Sequence, residues 1–379
     1  MEFRVLLVGG GSGGHVYPLI AVEKSLKKRA SELGVDLRLM MLGGSFIKRA
    51  AEESNLPYKT IPTGKLRRYL SIDNFFDIGR FLGGFFQSLW YLFWFMPDIV
   101  FVKGGADSVA PALVAKLFFV PVFVHESDSV PGLANIILGK VAKKVFLSFK
   151  NAEKYFNRSK TMLTGNPSRE SLARGSKNVA RAYFNLSEER PTIFIIGGSQ
   201  GARVLNDVVL GSLAVMSRKF NIIHQCGDRN YENFKNEVGS LIKEGLGQYG
   251  ELVERYYRLY PFLDEEHLSL AYSITDIIVS RAGSGLLFEI AQVGKPAIIV
   301  PIHQSSKNHQ YLNALEFSYY GAYLMEENNL NRESLVREID NLLKPENYSL
   351  VREKIKTFAR PDAADKIAEE LLRKYGLRT

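Results

Sequence analysis

A single cysteine, Cys226, is all the sequence contains, which excludes an internal disulfide framework or a zinc-finger set and fits a reducing compartment, by default the cytosol. It also lacks a zinc knuckle, helix-turn-helix spacing and an aromatic RNA-binding signature. Nucleic acid therefore ranks last among partners for the net charge of +9, behind a nucleotide or an acidic membrane surface. The chain enters its first strand by Phe3, leaving no room for a charged segment, an apolar segment and a cleavage site, so a cleaved export signal is not expected. No DxD motif is present. The uncharged run Phe81 to Met96, preceded by Asp77 and Arg80, falls short of the ~20 residues that span a bilayer.

What the sequence does have is a series of short apolar runs alternating with helix-length segments. They read VLLVGG, LRLMML, DIVFVKGG, VPVFVHE and KVFLSF, then TIFIIGG, NIIHQCG, DIIVSRAG and PAIIVPI. Runs of Val, Ile, Leu and Phe without polar alternation are the mark of parallel strands covered on both faces, so the fold class is α/β. Between residues 163 and 191 turn formers and charges take over, and TIFIIGGSQGAR then repeats the strand-into-glycine device of VLLVGGGSGGH. At 379 residues two domains are expected, residues 1–165 and 166–360, with a ligand at the carboxyl ends of the strands in a cleft between them. Residues 361–379, with apolar residues at helical spacing after Pro361, form a terminal helix.

The first glycine turn, Gly9-x-Gly11-x-x-Gly14, matches a dinucleotide fingerprint, and such turns offer backbone N–H groups and a helix dipole to an anion. The acid expected at the end of the second strand is missing; Asp36 sits at its start. In the second half, Ser199 and Gln200 follow a strand, and SRAGSGLLFEIAQVG places Ser284 at a turn and Glu289 about one helical turn inside. A carboxylate there accepts from ribose hydroxyls while the turn holds a diphosphate; read structurally, it is a helix-surface acid beside tight turns. The amides Gln304, Asn308, Gln310 and Asn313 suit neutral sugar hydroxyls, or cap the next helix as a polar loop.

GGGSGGHVYPLIAV, VHESDSVPGLAN, TGNPSRE, IGGSQGARVLN, SRAGSGLLFEIAQVGKPAIIVP and HQYLNAL occur in the order and spacing of the MurG family, and the chain resembles that family over nearly its full length. The resemblance implies a GT-B glycosyltransferase fold of two Rossmann-like domains, with N-acetylglucosamine moved from UDP-N-acetylglucosamine to an undecaprenyl-diphosphate-linked acceptor, lipid I, to give lipid II for peptidoglycan. It implies donor contacts from Ser199, Gln200, Asn206, Arg281, Ser284, Glu289 and Gln310, and acceptor-side contacts from Ser12, Gly13, Gly14, Asp128 and Asn135. The terminal helix would cross back onto the N-terminal domain. His15 is a candidate base, a diphosphate ligand or a helix cap, and Glu126 is the competing base. No cofactor or essential metal is expected, since loop amides, a helix dipole and Arg281 can meet the charge developing on UDP. Glu126-Ser127-Asp128 reads as acceptor-side lining, with divalent-ion binding the alternative.

The aromatic segment of residues 75–98, with KLRRYL before it, reads as a helix packed on the sheet. Its aromatics at 89–96 exceed one buried face, so residues 65–96 are expected to meet an anionic membrane surface, peripherally and on the cytoplasmic side. Three positions depart from the family pattern: Asp128 in place of the usual Asn, Ala106 in place of an aromatic, and His309 in place of a Gln. They leave room for another lipid-linked acceptor. A nucleotide-dependent oxidoreductase and a catalytically silent scaffold are the remaining alternatives.

Overall fold

The structure, a computed structural model, describes residues 2–10, 13–45, 47–64, 72–197, 202–243, 248–302 and 308–373. The chain divides into two compact units, one running to Arg169 and resumed from Arg360, the other spanning Glu170–Ala359.

In the first unit the strands are β1 (Glu2–Gly9), β2 (Asp36–Gly43), β3 (Tyr58–Thr60), β4 (Ile99–Val102), β5 (Val122–Glu126), β6 (Lys144–Leu147) and β7 (Thr161–Leu163). They form a parallel sheet in the order β3-β2-β1-β4-β5-β6-β7. Its helices are α1 (Gly13–Glu32), α2 (Ile47–Glu53), α3 (Ile72–Phe95), α4 (Val109–Leu117) and α5 (Leu133–Val141). Strand β1 shows why the inner runs are apolar without alternation. Phe3, Val5 and Leu7 face Leu19 of α1, while Leu6 and Val8 face the other layer with Leu92 of α3, Val114 of α4 and Leu138 of α5. Both faces are covered, so from Val5 to Gly9 every position of the strand is buried, and only Glu2 and Arg4 at its start are partly exposed.

The second unit holds α6 (Lys177–Phe184), β8 (Thr192–Ile196), α7 (Arg203–Met216), β9 (Asn221–Gln225), α8 (Tyr231–Lys243), α9 (Gln248–Tyr256) and β10 (Tyr257–Tyr260). It continues with α10 (Glu265–Ile274), β11 (Ile277–Ser280), α11 (Ser284–Val293), β12 (Ala297–Ile299), α12 (His309–Ser318) and β13 (Tyr323–Leu324), then α13 (Arg332–Leu342) and α14 (Pro345–Lys356). The parallel order is β10-β9-β8-β11-β12-β13. Each sheet reverses strand order beside its first strand, so loops after β1 and β4, and after β8 and β11, open at a topological switch point where such folds bind ligands.

A last helix, α15 (Ala363–Leu372), returns to the first unit and packs on α1. Ile367 and Leu371 join the core behind β1. Arg29 pairs with Glu369, and Lys144 Nζ lies 2.6 Å from Glu370 Oε1.

Helix α3 buries Leu92 and packs Leu89, Tyr91 and Phe95 on the sheet. Ile78, Leu82, Phe86, Trp90, Phe93 and Trp94, about a turn apart, stay exposed, and Trp90 and Trp94 meet edge-on at 5.6 Å. Helix α4 packs on α3 and ends in exposed Leu117 and Phe118, followed by Phe119, which is 92% exposed with a left-handed φ of 59°. Among the described residues no helix is long and apolar enough to cross a membrane.

Candidate active site

The buried strand β5 delivers Glu126 at its carboxyl end, and the next residues turn away from the sheet toward α5. Glu126 is 2% exposed; its Oε1 accepts from the Asp128 amide at 2.8 Å and its Oε2 from Asn135 Nδ2 at 2.7 Å. Burial and the neighbouring Asp128 push the Glu126 carboxyl up to about 7, against the pull of its hydrogen bonds and of Lys103. Asn135 Oδ1 is buried without a partner among the described residues. Glu126, Asp128, Asn135, Lys103 and Ala106 line a cavity of about 270 Å³, into which an acceptor hydroxyl fits chemically because it both donates and accepts. Gly104 makes the packing possible. It has φ +92°, and a Cβ there would collide with the Asn135 amide.

Sequence reasoning missed the deepest member of this cluster. Lys103 follows the buried strand β4 and is 1% exposed. Its ammonium meets His125 Nδ1 at 2.6 Å, Asn166 Oδ1 at 3.1 Å and the hydroxyl of Ser127. Burial draws the Lys103 amine down to about 7, opposed by the charges of Glu126 and Asp128. The available signal was a lone cation directly after four apolar residues of a strand covered on both faces, where a charge needs a built partner set.

Of the other acceptor-side candidates, Gly13 and Gly14 open α1 and His15 lies in its first turn; the His15 side chain lies outside what the structure describes, as does Ser12 altogether.

On the second unit, Ser199 and Gln200 lie outside the described residues. Arg281 leaves β11 and is buried, its Nη1 donating to Val300 O at 3.1 Å and its Nη2 pairing with Glu327 at 2.6 Å, while its Nε has no partner among the described residues. Burial lowers its pKa despite that carboxylate. Ser284 is the first residue of α11, which also carries Glu289, half-buried and accepting from the Tyr272 hydroxyl at 3.4 Å. Gln310, in the first turn of α12, accepts from the Ile302 amide at 3.2 Å, and Asn313 donates to Ala282 O at 3.3 Å. These two amides thus brace the loops after β12 and β11, and His309 opens the same helix. Asn206 on α7 donates to Cys226 O at 3.0 Å and accepts from His224 at 3.1 Å, tying its helix to β9. Arg281, Ser284, Glu289 and Gln310 therefore gather about the β11 and β12 ends, whereas Asn206 belongs to a buried bridge beside β9. Among the described residues no group of three or more His, Cys, Asp or Glu side chains is placed to hold a metal ion.

Two doubly wound parallel sheets in tandem, with polar clusters at the carboxyl ends of their strands, are the architecture of the GT-B fold class. Family models describe the same halves: the glycosyltransferase family 28 N-terminal domain matches residues 5–147, and the C-terminal domain residues 192–367. The chain is 35% identical over 373 residues to the UDP-N-acetylglucosamine–N-acetylmuramyl-(pentapeptide) pyrophosphoryl-undecaprenol N-acetylglucosamine transferase of Treponema denticola, covering 95% of this chain and 93% of that one. The enzyme of the same name from Clostridium perfringens is 34% identical over 346 residues, 90% of this chain and 91% of its own. The crystal structure of Acinetobacter baumannii MurG superposes with a TM-score of 0.72 at 25% identity, covering 98% and 99% of the two chains. A UDP-GlcNAc 2-epimerase from Neisseria meningitidis shares the fold at a TM-score of 0.69 and 13% identity, covering 98% and 100%. The chain belongs to the MurG family of glycosyltransferases.

Proposed function

We propose that this protein is an inverting transferase that moves N-acetylglucosamine from UDP-N-acetylglucosamine to the 4-hydroxyl of the muramoyl sugar of lipid I, giving lipid II. The observation that carries the reading is the 35% identity to a transferase of that name over 95% of the chain. In the reaction the acceptor oxygen bonds to the anomeric carbon, the bond from that carbon to the UDP oxygen breaks, and the hydroxyl proton passes to a base.

The acceptor is assigned to the first unit. Glu126 and His15 are its two candidate bases, and the surroundings of Glu126 support a base: a buried carboxylate whose pKa lies near neutrality can take a proton at physiological pH. Asn135, with a buried oxygen unpartnered among the described residues, is suited to orient the same hydroxyl. Gly13 and Gly14 at the start of α1, with Ser12, which lies outside the described residues, are assigned to the acceptor's diphosphate.

The donor is assigned to the second unit. Ser199, Gln200 and the α11 N-terminus at Ser284 would hold the diphosphate, Glu289 the ribose and Gln310 the sugar. Arg281, with a buried Nε unpartnered among the described residues, would offer its charge as UDP leaves. No cofactor enters this reading, and metal is not required by it.

The exposed aromatics of α3 with Leu117–Phe119 support peripheral attachment to an anionic membrane, where a lipid-linked acceptor resides. The cytoplasmic face is the side proposed.

The test is transfer of radiolabelled N-acetylglucosamine to a short-chain lipid I analogue, with EDTA present and with Glu289→Ala alongside. Transfer that survives EDTA and collapses in the variant supports the reading. Absence of transfer by the unaltered protein, with UDP still bound, redirects it to another lipid-linked acceptor.

A further inference from the structure

The Lys103 cluster is more elaborate than a buried lysine needs for packing. An ammonium has three N–H bonds, and here each has an acceptor: His125 Nδ1, Ser127 Oγ and Asn166 Oδ1. Because the lysine donates to Nδ1, the imidazole carries its proton on Nε2 and donates to Gly165 O at 3.0 Å. One side chain therefore ties β4 to the residues on both sides of Glu126, and through Asn166 and Gly165 to the segment after β7. It does so from the floor of the cavity that Glu126, Asp128 and Asn135 line.

The charges close the same way. Glu126 and Asp128 put two carboxylates on one short turn, and both act electrostatically on the Lys103 ammonium. Two close carboxylates with no cation beside them repel and take up a proton. Asp128, the departure from the family pattern, thus stands beside a built-in counter-charge. The carboxylate spacing that suggested a divalent ion is occupied electrostatically by a lysine.

We propose that Lys103 is a positioning residue for sugar transfer: its ammonium fixes the turn of residues 125–128 and supplies the positive charge against which Glu126 and Asp128 are held at the acceptor cavity. With all its N–H groups engaged, it has none left to donate to a substrate. The role rests on the transferase reading above.

The experiment compares unaltered protein, Lys103→Met and Lys103→Ala in the radiolabel assay, measuring kcat and KM for each substrate, UDP affinity by calorimetry and thermal midpoint. Lys103→Ala is assayed with and without added ethylammonium, which the cavity opened by truncation can admit. The expected result is a loss of about 100-fold in kcat/KM for the acceptor in both variants, the scale of a small misplacement of reacting groups. UDP affinity stays within about twofold, the second unit being intact, and ethylammonium restores at least about tenfold in Lys103→Ala. Unchanged acceptor kinetics in Lys103→Met would overturn the proposal. So would ethylammonium restoring the thermal midpoint of Lys103→Ala without restoring turnover, because the lysine would then act on stability alone. Inactivity of the unaltered protein is a different failure, that of the transferase reading itself.

Discussion

Asn206 and His224 stand 3.1 Å apart across the α7–β9 boundary, the amide oxygen meeting the imidazole Nε2, while Tyr257 supplies its hydroxyl to the other ring nitrogen at 2.7 Å. Both nitrogens are committed in the neutral ring, and burial holds the His224 pKa down to about 3. An unfolded histidine titrates near 6.5, so below that pH the unfolded chain binds a proton that the folded chain refuses. The stability contributed above pH 6.5 is lost as pH falls, by about 1.4 kcal/mol per unit, until the folded pKa is reached. Urea unfolding of the second unit between pH 7 and 4.5 should show this slope, and His224→Gln should flatten it. Equal slopes would mean that other groups govern its acid sensitivity.

Glu126→Gln keeps the shape and removes the proposed base. Transfer should fall by about 100-fold or more with UDP affinity unchanged. Because burial raises the carboxyl to about 7, the ionised form accumulates as pH rises through neutrality, and the acid limb of kcat/KM against pH should lie there. The variant should lose that limb. If His15→Ala loses it instead while Glu126→Gln retains it, the imidazole is the base.

A methyl group at residue 104 would strike the Asn135 amide, and its φ of +92° disfavours any side chain. Gly104→Ala is expected to cost about 1–3 kcal/mol of stability in the first unit. Acceptor KM should rise more than donor KM, since Asn135 is the group displaced. Equal effects on both substrates would place the damage outside the acceptor cavity.

Trp90 and Trp94 on α3 and Phe119 just beyond α4 are offered to solvent. Replacing all three with serine should lower sedimentation with vesicles rich in anionic lipid by about tenfold or more. Turnover of a short-chain, water-soluble acceptor should persist. Undiminished sedimentation would move the contact to another surface.

The inner strands could be read from the sequence because each is a continuous apolar run, as β1 and β8 show. The strands that could not be read are the edges, β3 and β7 of one sheet and β10 and β13 of the other. An edge strand packs on one side only, so Tyr58-Lys59-Thr60 and Thr161-Met162-Leu163 carry no run that stands out from a loop. Chain-wide motif order gave the pairing of two α/β units. At the site, Glu126 and Asn135 were placed together on the acceptor side by the family resemblance alone. The lysine beneath them was not: Lys103 lies 22 residues from His125 and 63 from Asn166, and only the parallel pairing of β4 with β5, β5 with β6 and β6 with β7 makes them neighbours. Gln310 and Asn313 could serve a sugar or a polar loop capping the next helix, and local spacing has no means of choosing.

Helix α15 gives the protein an order of assembly. Residues 363–372 leave the ribosome only after all of Glu170–Ala359, yet Ile367 and Leu371 fill the core behind the very first strand. While the chain is being made, the amino-terminal half waits with an open apolar face that α1 alone does not cover, and the carboxyl-terminal half is free to fold first. The first unit is thus sealed last, so a nascent chain truncated before α15 carries Lys103, Glu126 and Asn135 on an unfinished support.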